Sequence, residues 1–216
     1  MKKITFAIAL AVASLAAHAD TIGGLKSTGA GLAAGSQDTN YTLTVTGGST
    51  VLASNYGYVA QNNAFPVGPW MANTASSSWL TPLQNQAASF DPVVNGQYTF
   101  HTSFDLTGFN ASSASFSGQF AADNSAVAYL NGVQIGQVNG FSSWGSFSAN
   151  SGFVSGVNSL DFVVTNFHQD GGNPIGLRVE YTASAVTAAV PEPETYGMLL
   201  AGLALVGVAA KHRRVA

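Results

Sequence analysis

Apolar and polar residues alternate with a period of two along the middle of this chain, which restricts it to strands with one buried face. Tyr41, Leu43 and Val45 alternate with Thr42, Thr44 and Thr46. Tyr98, Phe100, Phe104 and Leu106 share one parity with Thr102, against Thr99, His101, Ser103 and Asp105 on the other. Leu160, Phe162 and Val164 repeat the pattern, and Ile175, Leu177, Val179 and Tyr181 alternate with Arg178 and Glu180. Gly47-Gly48, Asn95-Gly96, Asn131-Gly132, Asn139-Gly140 and Gly171-Gly172 punctuate these runs. Asn-Gly suits a turn whose two central residues need positive φ, so Val127–Leu130, Asn131-Gly132 and Val133–Ile135 predict a hairpin. Short strands spaced about ten residues apart predict an all-β, jelly-roll-like antiparallel β-sandwich over residues 20–183. Gln61 to Asp91, with Pro66, Pro69 and Pro82, reads as a long loop carrying one strand around Ser78 to Leu80. Gly29-Ala30-Gly31 with Gly35 reads as a flexible N-terminal segment, because no strand and βαβ unit surround it as a dinucleotide loop requires.

The two ends follow a different logic. Met1-Lys2-Lys3, an apolar run from Ile4 to Ala17 and the small-x-small triplet Ala17-His18-Ala19 read as a secretory signal peptide over residues 1–19. Signal peptidase is expected to cut between Ala19 and Asp20. At the other end, residues 184–194 read as a linker in which Pro191 and Pro193 keep the chain extended. Thr195 to Ala210 follows without a charge and reads as one C-terminal transmembrane helix. Its sixteen residues span roughly 24 Å against a hydrocarbon core of about 30 Å, so the span is short. Residues 211–216 read as a cytoplasmic tail whose Lys211, Arg213 and Arg214 snorkel at one interface while Tyr196 anchors the other.

The order Val190-Pro191-Glu192-Pro193, apolar helix, basic end closely resembles the PEP-CTERM sorting signal of Gram-negative bacteria. The resemblance covers only the tail. It implies recognition of Pro191, Glu192 and Pro193 by an exosortase, a membrane enzyme that cleaves near this triplet, with Lys211, Arg213 and Arg214 as retention charges. The implied route is export, transient anchoring in the membrane through the helix, then the cell surface or extracellular matrix. His212 interrupts the basic cluster, a small departure from the pattern.

Between the targeting ends, residues 20–189 carry eight acidic side chains against Lys26 and Arg178, a formal charge of −6. Two basic residues cannot neutralise a phosphate backbone, which excludes nucleic acid as a partner. The chain has no cysteine, so disulfides, thiolate metal sites and cysteine nucleophiles are excluded as well. Phe120-Ala121-Ala122-Asp123-Asn124, Tyr129-Leu130-Asn131-Gly132 and Gly156-Val157-Asn158-Ser159-Leu160 resemble galactose-binding-like jelly rolls. That resemblance implies a fold, and a carbohydrate-associated role more weakly.

Chemistry is thin in the body. No Gly-x-Ser-x-Gly elbow, His-Glu-x-x-His or phosphate-binding loop occurs, so no catalytic residue, no metal site and no cofactor are assigned. Asp105, Asp123 and Asp161 would have to converge to serve a glycan-active hydrolase, and structural Ca²⁺ is the ion that the oxygens of Asp123 and Asp161 suit. His101 and His168 read as solvated surface residues. Trp70, Trp79 and Trp144 sit among Pro, Ser and Gly, and two readings stand: exposed planes for a sugar, or caps on the core. The candidate ligand-binding set on the first reading is Trp144, Trp79, Asn131 and Asp123. The body is accordingly expected to be non-catalytic, structural or exopolysaccharide-associated, with a carbohydrate-binding module as the alternative.

Overall fold

The computed structural model describes residues 19–189, except 49, 51 and 53, and the helix α1 (Pro193–Arg213). Residues 1–18, Pro191, Glu192 and Arg214 lie outside the described residues. The body holds eleven strands: β1 (Ala19–Asp20), β2 (Gln37–Gly47), β3 (Tyr56–Val59), β4 (Leu80–Thr81), β5 (Gly96–Asp105), β6 (Phe109–Asp123), β7 (Ser125–Leu130), β8 (Val133–Asn139), β9 (Gly145–Ala149), β10 (Val157–Asn166) and β11 (Gly176–Ala188). They pair in the order β11-β4-β3-β2-β5-β10-β7-β8-β9-β6, and β6 pairs back onto β11. The all-β sandwich is thus a flattened barrel whose two layers are joined into one ring of ten antiparallel strands. Closure leaves few exposed strand edges to manage.

The period-two pattern determines the inside. Tyr98, Phe100 and Phe104 of β5 face Phe116 and Phe120 of β6 through a core that also takes Phe147 from β9 and Phe162 from β10. Edge-to-face contacts knit the layers, with Phe120–Phe147 centroids at 5.6 Å and Phe147–Phe162 at 5.5 Å. Burying each such ring contributes about 1.5–3 kcal/mol relative to leaving it in water. Gly118 and Gly136 make room for the Phe147 side chain, since a Cβ at either would lie 2.4 or 2.7 Å from it. The β7–β8 hairpin forms as expected, Leu130 opposite Val133, with φ of 48° at Asn131 and 81° at Gly132.

Three expectations about the chain change. The segment around Gly29-Ala30-Gly31 and Gly35, expected to be flexible, is tied down: the Thr28 backbone N–H donates to the Val179 carbonyl at 3.0 Å and the Gly29 N–H to the Asp38 carboxylate at 2.7 Å. A polar run rich in glycine is held here by partners distant in sequence, which local composition does not reveal. Residues 184–188, expected in the linker, are the last stretch of β11. Finally, α1 encloses Thr195–Ala210, yet no helix among the described residues is long and apolar enough to cross a membrane. The transmembrane expectation is corrected accordingly: the uncharged run is about 6 Å short of a hydrocarbon core, and Gly197, Gly202, Gly207 and the alanines dilute its hydropathy.

Both ends of the body meet at one place. Ala19 pairs with Thr187 and Asp20 with Val186, so the expected signal-peptidase junction lies beside the last turn of chain before the tail. The Ser113 hydroxyl accepts from the Thr187 N–H at 2.9 Å, and the Ala189 N–H donates to the Gly108 carbonyl at 3.0 Å. The barrel therefore holds the chain up to Ala189.

Candidate functional site

Three regions of the molecule concentrate chemistry: a covered cluster outside β6 and β11, a bare row outside β5 and β10, and the tail. The loop between β3 and β4 builds the first. It folds over β11 and β6 and packs Trp70, Trp79, Val67 and Ala60 against Ala121, forming a second apolar cluster outside the barrel. Trp70 and Trp79 lie with centroids 4.5 Å apart, and Trp70 sits over Gly176, where a Cβ would collide with the indole at 2.5 Å.

Arg178 is the tie between loop and barrel. The even parity of β11 sends it outward, yet it is only 1 % exposed, because the loop covers it. Its Nε donates to the Ser77 hydroxyl at 2.8 Å, Nη1 to the Ala72 carbonyl and Nη2 to Thr74 Oγ1 at 3.1 Å. Ser77 in turn donates to Glu180 at 2.8 Å. Trp144, half-buried, lies with its ring centroid 4.7 Å from the guanidinium carbon, a cation–π stack. Burial pushes the Arg178 pKa down while the Glu180 carboxylate works against that. Three hydrogen bonds, the Trp144 ring and burial by the loop thus hold the guanidinium, which makes it a structural tie.

The four candidate ligand residues do not converge. Trp79 is fully buried and its indole N–H donates to the Met71 carbonyl at 2.8 Å. Asp123 is 5 % exposed; Oδ2 accepts from the Trp70 indole at 2.9 Å and Oδ1 has no partner. Desolvation pushes the Asp123 pKa up to about 6, the Trp70 hydrogen bond working in the opposite direction. Asn131 lies at the far end of β7, about 20 Å from Asp123 at ~3.4 Å per residue. Its amide donates to the Gly152 carbonyl and to Asn158, both at 2.9 Å, and accepts from the Ser159 N–H at 2.9 Å. Asn131 holds the hairpin to the loop before β10. Of the four, Trp144 alone keeps accessible surface beside the covered cluster.

The carboxylates do not pair either. Asp105 and Asp161 share the outer face of neighbouring strands but lie four residues apart along them, about 14 Å, beyond the separation of roughly 5–9.5 Å that glycosidases use. Thr107 hydrogen bonds hold the Asp105 pKa down. Among the described residues no group of three or more His, Cys, Asp or Glu side chains is placed to hold a metal ion. Asp123 and Asp161 spend one oxygen each on Trp70 and His101, on different faces of the barrel, so they do not make a Ca²⁺ site together.

One constellation went unforeseen. His101 and Asp161 stand directly opposite on β5 and β10, and Nδ1 lies 2.7 Å from Oδ1. Their side chains are 42 % and 30 % exposed. The parity of each strand was legible, but the register that sets them side by side was not. Thr42 stands on the other flank of His101, though among the described residues no hydrogen bond joins it to the imidazole, so a nucleophile–base–carboxylate chain is not assembled.

Beyond β11 lies the tail. Residues 189–214 match the PEP-CTERM protein-sorting motif. The match starts at Ala189, whose N–H donates to the Gly108 carbonyl of the barrel, and runs through α1. No curated protein matches the chain. Solved structures to which the chain is similar include a family 35 carbohydrate binding module from an environmental isolate, at 13 % identity and a TM-score of 0.31, over 72 % of this chain and 97 % of that one. A mutant family 29 carbohydrate binding module follows at 8 % identity and a TM-score of 0.35, over 80 % and 92 %. A PA14 sugar-binding domain from an RTX adhesin stands at 12 % identity and a TM-score of 0.27, over 55 % and 81 %.

Proposed function

We propose that this chain is an exported protein delivered to the cell surface or extracellular matrix by an exosortase-type enzyme, and that its barrel is non-catalytic, structural or exopolysaccharide-associated cargo. The sorting motif at residues 189–214 carries this reading. The architecture supports it in two ways. Ala19 and Asp20, at the expected signal-peptidase junction, pair with Thr187 and Val186 near the end of β11, from which the chain leads into the sorting motif. The helix exposes Met198, Leu203, Leu205 and Val206, with 60–76 % of each accessible, and such a surface calls for an apolar partner. The sorting enzyme's membrane domain is the partner that this surface and the Pro191-Glu192-Pro193 triplet would share. Lys211, Arg213 and Arg214 then act as the retention charges behind the helix.

The test is fractionation of cells expressing the full chain. Replacing Pro191, Glu192 and Pro193 by Ala should abolish release and leave the uncut form with the cell envelope. Release of the triple variant at the unaltered rate would overturn the sorting reading. In a strain lacking exosortase activity the unaltered chain should behave as the variant does.

A further inference from the structure

The strand registers place five outward side chains in one line across the bare face of the barrel. Tyr56 on β3 stands opposite Thr42 on β2, Thr42 opposite His101 on β5, His101 opposite Asp161 on β10, and Asp161 opposite Tyr129 on β7. Neighbouring strands are about 4.8 Å apart, so the line is about 19 Å from end to end. The residues flanking Thr42, His101, Asp161 and Tyr129 along their own strands point inward: Tyr41 and Leu43, Phe100 and Thr102, Leu160 and Phe162, Ala128 and Leu130 are all buried. The row is therefore a solvent-facing feature of a rigid sheet.

We propose that this row is a binding platform for an uncharged polysaccharide lying across the strands, a proposal that rests on the exopolysaccharide-associated reading of the body. Tyr129 and Tyr56 bracket the row with aromatic faces, against which the C–H face of a pyranose packs. Between them Asp161 offers Oδ2 and His101 offers Nε2, neither of which has a protein partner among the described residues. The hydrogen bond at 2.7 Å between Nδ1 and Oδ1 fixes both groups, so a carboxylate acceptor and an imidazole nitrogen are held side by side for the hydroxyls of a sugar. Thr42 adds a hydroxyl beside them. Two strand spacings separate Asp161 from Thr42, which suits successive sugar units in a chain.

Charge selects the class of glycan. No Lys or Arg lies in the row, and the body carries eight acidic side chains against two basic ones, one of which, Arg178, is buried. A uronic-acid polymer would meet a repulsive field and no cation, whereas a neutral chain pays neither cost. A protein partner would want an apolar centre to its patch, and the centre here is a hydrogen-bonded polar pair.

Affinity electrophoresis of the full exported protein tests this, with gels containing a soluble neutral β-glucan, a neutral galactomannan or alginate. Retardation by at least one neutral polymer and none by alginate is expected. Tyr129→Ala and Asp161→Ala should each weaken it at least tenfold, with melting temperatures confirming that both variants remain folded; Trp144→Ala should leave it unchanged. No retardation by either neutral polymer, retardation by alginate alone, or loss only in Trp144→Ala would each overturn the proposal. None of these outcomes alters the fractionation result, so the platform and the sorting route fail separately.

Discussion

Arg178 and His101 occupy equivalent positions on opposite sides of the barrel, each pointing outward from a strand whose neighbouring residues fill the core. Arg178 is 1 % exposed, and the His101 side chain 42 %. The difference is what lies above. Over β11 and β6 a loop with two buried tryptophans builds a second small core; among the described residues nothing does so over β5 and β10. Outward parity therefore says which side of a sheet a residue takes, and only the course of a distant loop says whether that side is wet.

The covered face should break hardest. Arg178→Leu removes the donors that Ser77, Thr74 and the Ala72 carbonyl share, and leaves Glu180 without its cation. Breaking a buried, hydrogen-bonded charge typically costs about 3–5 kcal/mol, and urea unfolding should register a loss of that order. A loss under about 1 kcal/mol would mean that the loop is held by its tryptophans alone.

The next effect is in pH. Asp123 has its pKa raised to about 6 by desolvation, against an ordinary value of about 3.9. A raised carboxyl favours the folded state when protonated, so its contribution is complete below about pH 4 and fades as pH rises through 6. The barrel should then be on the order of 2–3 kcal/mol less stable at pH 7.5 than at pH 4 from this group. Asp123→Asn retains an acceptor for the Trp70 indole and should flatten that slope. An identical slope in the variant would assign the pH dependence elsewhere.

How far these two faces were legible depends on the range of the cause. The strands, their inward residues and the Asn131-Gly132 hairpin follow from local alternation and turn chemistry, and the tail motif is contiguous. For the Trp79 indole, by contrast, a Pro- and Ser-rich stretch leaves both an exposed plane and a cap on the core open, and it is buried because Met71 and Asn73 turn back to it. Trp70 finds Asp123 across 53 residues, and His101 finds Asp161 across 60. Each pairing needs a register or a loop path that no window of sequence contains. The sequence offers Asn131 and Asp123 as hydrogen-bonding groups for a sugar beside Trp144, whereas a strand between them carries them to opposite ends.

Trp144 lies at the rim of the covered face and should give a middle-sized effect. Its ring stacks on a guanidinium that three hydrogen bonds already hold in place, so Trp144→Ala loses the stack and half-buried apolar area, about 1–2 kcal/mol. Trp144→Leu should recover the area but not the stack, which separates the two. Equal losses in both variants would assign the whole effect to the cation–π contact.

The bare face should yield the smallest change in stability. The His101–Asp161 contact is short, but both partners are substantially exposed, and pairs of that kind contribute about 0.2–1 kcal/mol, reduced further by salt. Asp161→Asn and His101→Gln should each shift the urea midpoint by no more than that, and a double-mutant cycle should give a coupling inside the same range. A coupling above about 2 kcal/mol would make the pair a fold-determining contact like Arg178 and erase the contrast between the faces. A small coupling would instead leave the pair's tight geometry without a stability role, which is what a residue pair held in place for a ligand requires.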